Sequence, residues 1–239
     1  SLKSSNYNST LNEKVNVVDI YVNPKDFYGK GDYNIINLKG FLINLNNKNV
    51  VLTCFHCFSN NLQIINPQIV FKDKLYDSEL LFYSEELDLM LLRPLFNLKD
   101  KIININDFNS MIDFNIGDKL KLFKKDIICT FKGIVSSSLI DLHFYHTGIL
   151  VPYLNITPKL QKGDSGSLII KNNKIIGIVS RINDDDNGSF IIPNISIKRF
   201  LNEFLLNCNI KNKKSRLCSL VFTFKNNNDK LIIDSSFDI

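Results

Sequence analysis

Gly163-Asp164-Ser165-Gly166-Ser167, running into Leu168-Ile169-Ile170, is the segment best equipped for chemistry. A serine nucleophile needs its hydroxyl on a tight turn, with backbone N–H groups aimed at the developing oxyanion. Glycine on each side lets the chain make that turn and lets a substrate come close. The N–H groups of Gly163 and Ser165 are then the candidate oxyanion hole. The same string also suits a plain glycine-rich turn, so it has to be read with its partners.

A serine hydroxyl is a poor nucleophile at neutral pH and needs a base that titrates nearby, which histidine supplies. The sequence has 3 histidines. His56 closes the run Val50-Val51-Leu52-Thr53-Cys54-Phe55-His56-Cys57, where a β-branched strand ends and the chain turns. His143 and His146 lie inside the strand-like run Leu142-His143-Phe144-Tyr145-His146 and read as structural or surface residues. A base in turn needs an orienting acid. Asp88 stands at the head of Leu89-Met90-Leu91-Leu92. A carboxylate there is costly to bury without hydrogen bonds, and orienting an imidazole is one reason to keep it; a strand-end turn is the other. Asp77, Glu85 and Glu86 are rivals outside that apolar run. The chain order is His56, Asp88, Ser165, which differs from the orders of subtilisin and of the α/β-hydrolases.

The elements that must position these residues are short strands. β-type runs occur at 15–22, 35–45, 50–53, 63–71, 75–83, 89–92, 120–123, 127–142, 148–153, 167–170 and 175–181. Asn46-Asn47, Ser59-Asn60-Asn61, Asn172-Asn173 and the stretch 184–188 punctuate them as turns. Many short strands with regular turns predict barrels or sandwiches. One helix is expected over 195–208, where Ile197, Phe200, Leu201, Phe204 and Leu205 form an apolar stripe and Asn194 or Ser196 caps the start. The run 217–233 suits a hairpin.

The 239 residues are 44% hydrophobic and 22% charged, ample for a buried core. The net charge of +5 is small and spread out. Lys211, Lys213, Lys214 and Arg216 make one tight basic run, readable as a solvated turn or as a patch for nucleic acid or anionic membrane. The apolar runs are too short to span a bilayer, and the N-terminal residues carry no signal-peptide pattern. Of the 5 cysteines, Cys54 and Cys57 form a C-x-x-C; without a second such pair or an H-x-x-x-H, a metal site is not expected. Cys129, Cys208 and Cys218 are scattered. The odd count favours free thiols in a reducing, intracellular setting.

Together these motifs resemble the trypsin/chymotrypsin-like serine proteases. Thr53-Cys54-Phe55-His56-Cys57 is similar to the family's T-A-A-H-C, Asp88-Leu89-Met90-Leu91-Leu92 to its D-[IL]-A-L-L strand, and the Ser165 segment to its G-D-S-G loop. Gly177-Ile178-Val179-Ser180 resembles its G-I-V-S strand. Gly40-Phe41-Leu42-Ile43 and Phe190-Ile191-Ile192-Pro193 are closest in flavour to HtrA/Deg-like and viral members.

The resemblance covers roughly residues 35–207 and implies an all-β fold, two antiparallel β-barrels of the chymotrypsin type with a C-terminal helix. The implied organisation is a flexible arm at 1–14, a first barrel at 15–112 carrying His56 and Asp88, a second barrel plus helix at 113–208 carrying Ser165, and an extension at 209–239. It implies a serine endopeptidase acting through an acyl-enzyme on a polypeptide substrate, a viral or intracellular processing enzyme, with no metal and no organic cofactor. Ser180, Arg181 and Lys159 are implied at the substrate site, Lys159 near the floor of the primary pocket or pointing outward.

The chain also departs from the family. No I-V-G-G is present, so Asp164 needs a partner other than a newly cut amino terminus, or faces solvent. Cys57 lacks its usual bridging partner. Arg181 and Ile182 stand where an aromatic residue and glycine are common. Residues 209–239 are too few for the PDZ domain of HtrA-like enzymes. A catalytically silent protease-fold module for binding or assembly is the competing expectation. Nucleic acid is not an expected partner, and nothing in the sequence fixes an oligomeric state.

Overall fold

The computed structural model describes residues 15–22, 36–56, 67–96, 102–108, 114–123, 127–136, 152–184, 187–207, 223–227 and 230–234. The arm at 1–14, His143, His146, Cys57, Cys208, Cys218 and the basic run at 211–216 lie outside the described residues.

Six strands make the first barrel: β1 (Val17–Val22), β2 (Ile36–Leu45), β3 (Lys48–Cys54), β4 (Gln68–Phe71), β5 (Lys74–Ser84) and β6 (Leu89–Pro94). They run in the order β1-β4-β5-β6-β3-β2, and pairing of β1 with β2 closes the ring. A short β7 (Ile103–Asn104) adds to β2 in parallel and leads into a 3-10 turn at Ile105–Phe108. β8 (Lys119–Leu122), β9 (Ile128–Ser136), β10 (Pro152–Thr157), β11 (Leu168–Lys171), β12 (Lys174–Asn183) and β13 (Gly188–Pro193) close the second barrel in the order β10-β13-β12-β11-β8-β9. Among the described residues the fold is all-β, two closed six-stranded antiparallel barrels with a C-terminal helix, as the resemblance implies. Among the described residues, no helix is long and apolar enough to cross a membrane.

Local chemistry explains the turns. Asn46-Asn47, Lys72-Asp73 and Asn172-Asn173 each join two strands with both central residues at positive φ, from 48° to 65°. That is the two-residue hairpin geometry whose twist matches the strands, and after glycine asparagine and aspartate tolerate it best.

Period-2 alternation explains the unbroken apolar strands. On β3, Val51 points into the first barrel's core, while Val50, Leu52 and Cys54 point into a second core shared with the other barrel. On β6, Met90 and Leu92 face inward and Leu89 and Leu91 face the shared layer. Both faces of these strands are therefore buried, and the seam between the barrels is itself a hydrophobic core. Leu168, Ile170, Ile178 and Ile192 supply the second barrel's side of it.

Helix α1 (Asn194–Asn207) follows Pro193 and begins at Asn194. Its Ile197, Phe200 and Leu201 are fully buried in the shared layer. Phe82 of β5 packs on Phe200 at 5.2 Å and on Phe204 at 5.6 Å between ring centroids. The helix thus ties the second barrel's end to the first barrel's outer face. β14 (Thr223–Asn227) and β15 (Lys230–Asp234) form a hairpin, in the region where the sequence suggested one.

Three strands differ from the sequence reading; β7 and β13 lie outside the expected β-type runs. β10 runs Pro152–Thr157 rather than ending at Tyr153. Asn155 breaks the apolar pattern, yet Leu154 and Ile156 on either side of it fill the second barrel's core.

Candidate active site

The chain leaves β3 at Cys54 and turns at Phe55 and His56. The turn is held from the opposite side by Asp88. Asp88 ends the tight turn 85–88, where its amide donates to the Glu85 carbonyl at 3.1 Å and its φ is 55°. Aspartate is among the few residues that accept this left-handed conformation readily. It throws the carboxylate back over the end of β3.

Every oxygen of that carboxylate is used. Oδ1 accepts the backbone N–H of Phe55 at 3.0 Å and of His56 at 2.7 Å. Oδ2 lies 2.9 Å from His56 Nδ1 and also accepts the Ser180 hydroxyl. Asp88 is buried and the His56 side chain is 33% exposed, so the imidazole forms the open side of the pair. Burial pushes the Asp88 pKa up. The His56 ring, its hydrogen bond, the charge of Arg181 and the Ser180 hydroxyl outweigh that and hold it down at about 2. A carboxylate fixed on Nδ1 sets the tautomer that leaves Nε2 able to accept a proton.

Ser165 arrives from the second barrel on a turn built for close approach. Gly163 and Gly166 have φ of 89° and 83°. A Cβ on Gly166 would lie 1.8 Å from the Lys39 carbonyl oxygen, so only glycine fits. The turn is stitched to both barrels. Lys39 N–H donates to the Ser165 carbonyl at 2.8 Å, and Gly166 N–H donates to the Val179 carbonyl at 2.7 Å. That Val179 oxygen also accepts the Cys54 thiol at 3.1 Å, two residues before His56. Thr53, buried beside it, donates to the Lys39 carbonyl at 2.7 Å. Ser165 and His56 thus sit on segments that share the same carbonyl anchors at the seam.

Asp164 is buried, and its Oδ2 accepts the Gln161 N–H at 2.9 Å while its own N–H donates to the Gln161 carbonyl at 3.1 Å. Of the two alternatives the sequence left open, the carboxylate takes a backbone partner within the loop and does not face solvent.

The three residues implied at the substrate site fall differently. Ser180 is fully buried; a register shift between Val179 and Arg181 on β12 turns its hydroxyl onto Asp88. Arg181 is half-buried, with its guanidinium 5.8 Å from the Tyr153 ring centroid. Lys159 is exposed and pairs with Asp184 at the surface, so its charge points outward. The next residue, Leu160, donates its N–H to the buried Ser189 hydroxyl at 2.9 Å.

The contacts of two neighbours, Cys54 and Ser180, with the pair are not legible in the sequence. Cys54 was weighed only against Cys57, and the thiol's nearness to His56 follows from the turn at Phe55. The bond from Ser180 to Asp88 joins residues from different barrels, and no local pattern announces it.

No family model matches the chain, and no curated protein matches its sequence. Solved structures do resemble it. The Rv3671c protease from M. tuberculosis in its active form aligns with TM-score 0.62 and 16% identity, over 80% of this chain and 81% of that one. The same protein in its inactive form aligns with TM-score 0.57 and 15% identity, over 80% and 89%. A serine-to-alanine variant of it gives TM-score 0.57 and 15% identity, over 81% and 87%. The chain shares their chymotrypsin-like double-barrel fold.

Proposed function

We propose that the chain is a serine endopeptidase with His56 as general base and acid, Asp88 as its orienting carboxylate and Ser165 as nucleophile. The observation that carries this reading is the His56–Asp88 pair, buried on the acid's side and open on the imidazole's, at the seam where the Ser165 turn is docked. A structural aspartate needs no imidazole among its partners, and a surface histidine needs no carboxylate with every oxygen engaged.

The reaction follows from the parts. Ser165 Oγ attacks the peptide carbonyl carbon and gives its proton to His56 Nε2. The negative oxygen is met by the N–H groups of Gly163 and Ser165. His56 returns the proton to the leaving amine, and water, deprotonated by His56, then releases the acyl group. Arg181 borders the peptide-binding side of β12, and Ser180 serves the site through Asp88. The HtrA-like and viral sequence flavour supports a processing role, intracellular or viral, on a polypeptide substrate.

Fluorophosphonate labelling tests the reading. Wild type is expected to label stoichiometrically at Ser165, Ser165→Ala not at all, and His56→Ala roughly 10⁴-fold more slowly. A folded wild type that takes up no probe would sink the reading and leave a binding or assembly module on a protease fold.

A further inference from the structure

The family pattern that the chain resembles has alanine where Cys54 stands, so the thiol is a feature of this sequence rather than of the pattern. Cys54 Sγ, a ring nitrogen of His56 and a carboxylate oxygen of Asp88 lie within 4.8 Å of one another. Cys54 and Asp88 are buried beneath the partly exposed imidazole. A thiolate, an imidazole and a carboxylate make a zinc-type donor set, and three protein ligands leave one position open.

We propose that Cys54, His56 and Asp88 form an inhibitory site for a borderline divalent cation, Zn²⁺ above all. The inhibitory consequence rests on the protease reading; the binding itself does not.

The geometry needs a small adjustment. Zinc bonds of about 2.3 Å to sulfur and about 2.0–2.2 Å to nitrogen and oxygen put neighbouring ligand atoms roughly 3–4 Å apart. Nδ1 and Oδ2 at 2.9 Å are already that close. The Cys54 side chain has to turn from the Val179 carbonyl toward the pair. The charges then balance, since one dication meets one thiolate and one carboxylate. Asp88 keeps the Phe55 and His56 amides on Oδ1, and Ser180 stays within reach as an outer partner that holds the carboxylate in orientation.

Binding has a defined chemical consequence. Cys54 gives its thiol proton to solvent. A neutral imidazole bound through Nδ1 carries its proton on Nε2, the nitrogen that must accept the proton of Ser165. The base is lost while the fold stays intact. The sequence argued against a zinc site because Cys54-x-x-Cys57 has no second pair. The fold gives Cys54 different company.

The test is Co²⁺ titration followed by the thiolate-to-cobalt charge-transfer absorbance, on full-length wild type, Ser165→Ala, Cys54→Ala and Cys54→Ser, each checked for folding by circular dichroism. One equivalent of cobalt is expected to raise the band in wild type and in Ser165→Ala, and Zn²⁺ to erase it. Both Cys54 variants should lose the band, with apparent metal affinity falling at least about tenfold. Zn²⁺ should slow fluorophosphonate labelling of wild type, with Cys54→Ala labelling at one rate with and without the metal. No band in wild type, or an equal band in Cys54→Ala, overturns the proposal. If wild type shows the band but takes up no probe, the site stands and the protease reading falls.

Discussion

The Ser180 hydroxyl donates to Asp88 Oδ2 across the seam between the barrels, and both residues are buried. Asp88, which holds the His56 imidazole in the first barrel, is thus itself held by the second. A hydrogen bond to a buried charge contributes roughly 1.5–3 kcal/mol. Ser180→Ala is expected to lower the rate of fluorophosphonate labelling by about tenfold with little change in fold. Ser180→Thr, which keeps the hydroxyl, should recover part of the rate. Labelling of Ser180→Ala at the wild-type rate would show that the bond does nothing for His56.

Gly166→Ala tests the docking of the nucleophile's turn. The added Cβ would meet the Lys39 carbonyl at 1.8 Å, and neither backbone can yield without breaking the bonds that hold the turn. Chemical denaturation should show a loss of at least about 2 kcal/mol. An unchanged midpoint would mean that the turn is looser than the contacts indicate.

The depressed pKa of Asp88 has a sign that can be checked. Its ordinary value of 3.8 falls to about 2 in the folded protein. The stability this contributes, about 2 kcal/mol, is fully present above 3.8 and is lost as pH falls through about 2. Acid denaturation of Asp88→Asn should accordingly be flatter than that of wild type below pH 3.8. If Asp88→Asn follows wild type down the acid limb of stability, the carboxylate is not held as described.

Cys129 is expected to be inert. Burial, and then the nearby Asp164 carboxylate, push its thiol up to about 11. An alkylating reagent at pH 8 should leave Cys129 unmodified in the folded protein and modify it once urea unfolds the chain, as peptide mapping would show. Rapid modification under native conditions would place the thiol in a more open setting than the second barrel's core.

The sequence makes some of this legible and leaves the rest dark, for physical reasons. The strand character of 50–54 and 89–92 is plain because both of their faces are buried, so nearly every residue is apolar. His56 and Asp88 stand out because each ends or heads such a run with a group that is costly to place there, and Ser165 because glycines flank it ahead of one. β10 was misjudged because Asn155 breaks the apolar pattern while its neighbours stay in the core. The outward turn of Lys159 depends on Asp184, which the chain reaches only after β11 and β12. The role of Ser180 depends on one irregular step in the register of β12, which leaves no mark in composition or spacing.

The shared seam also bears on the order of events when the chain is made. A nascent chain that has emerged only as far as the first barrel carries His56 and Asp88, but neither Ser165 nor the Ser180 hydroxyl that bonds Asp88. Phe82, meanwhile, waits for Phe200 and Phe204 from the helix near the end of the second barrel. The proposed hydrolytic competence and completion of the core therefore come together, late in synthesis. Until then, the proposed protease cannot turn on itself or on the chains being synthesised around it.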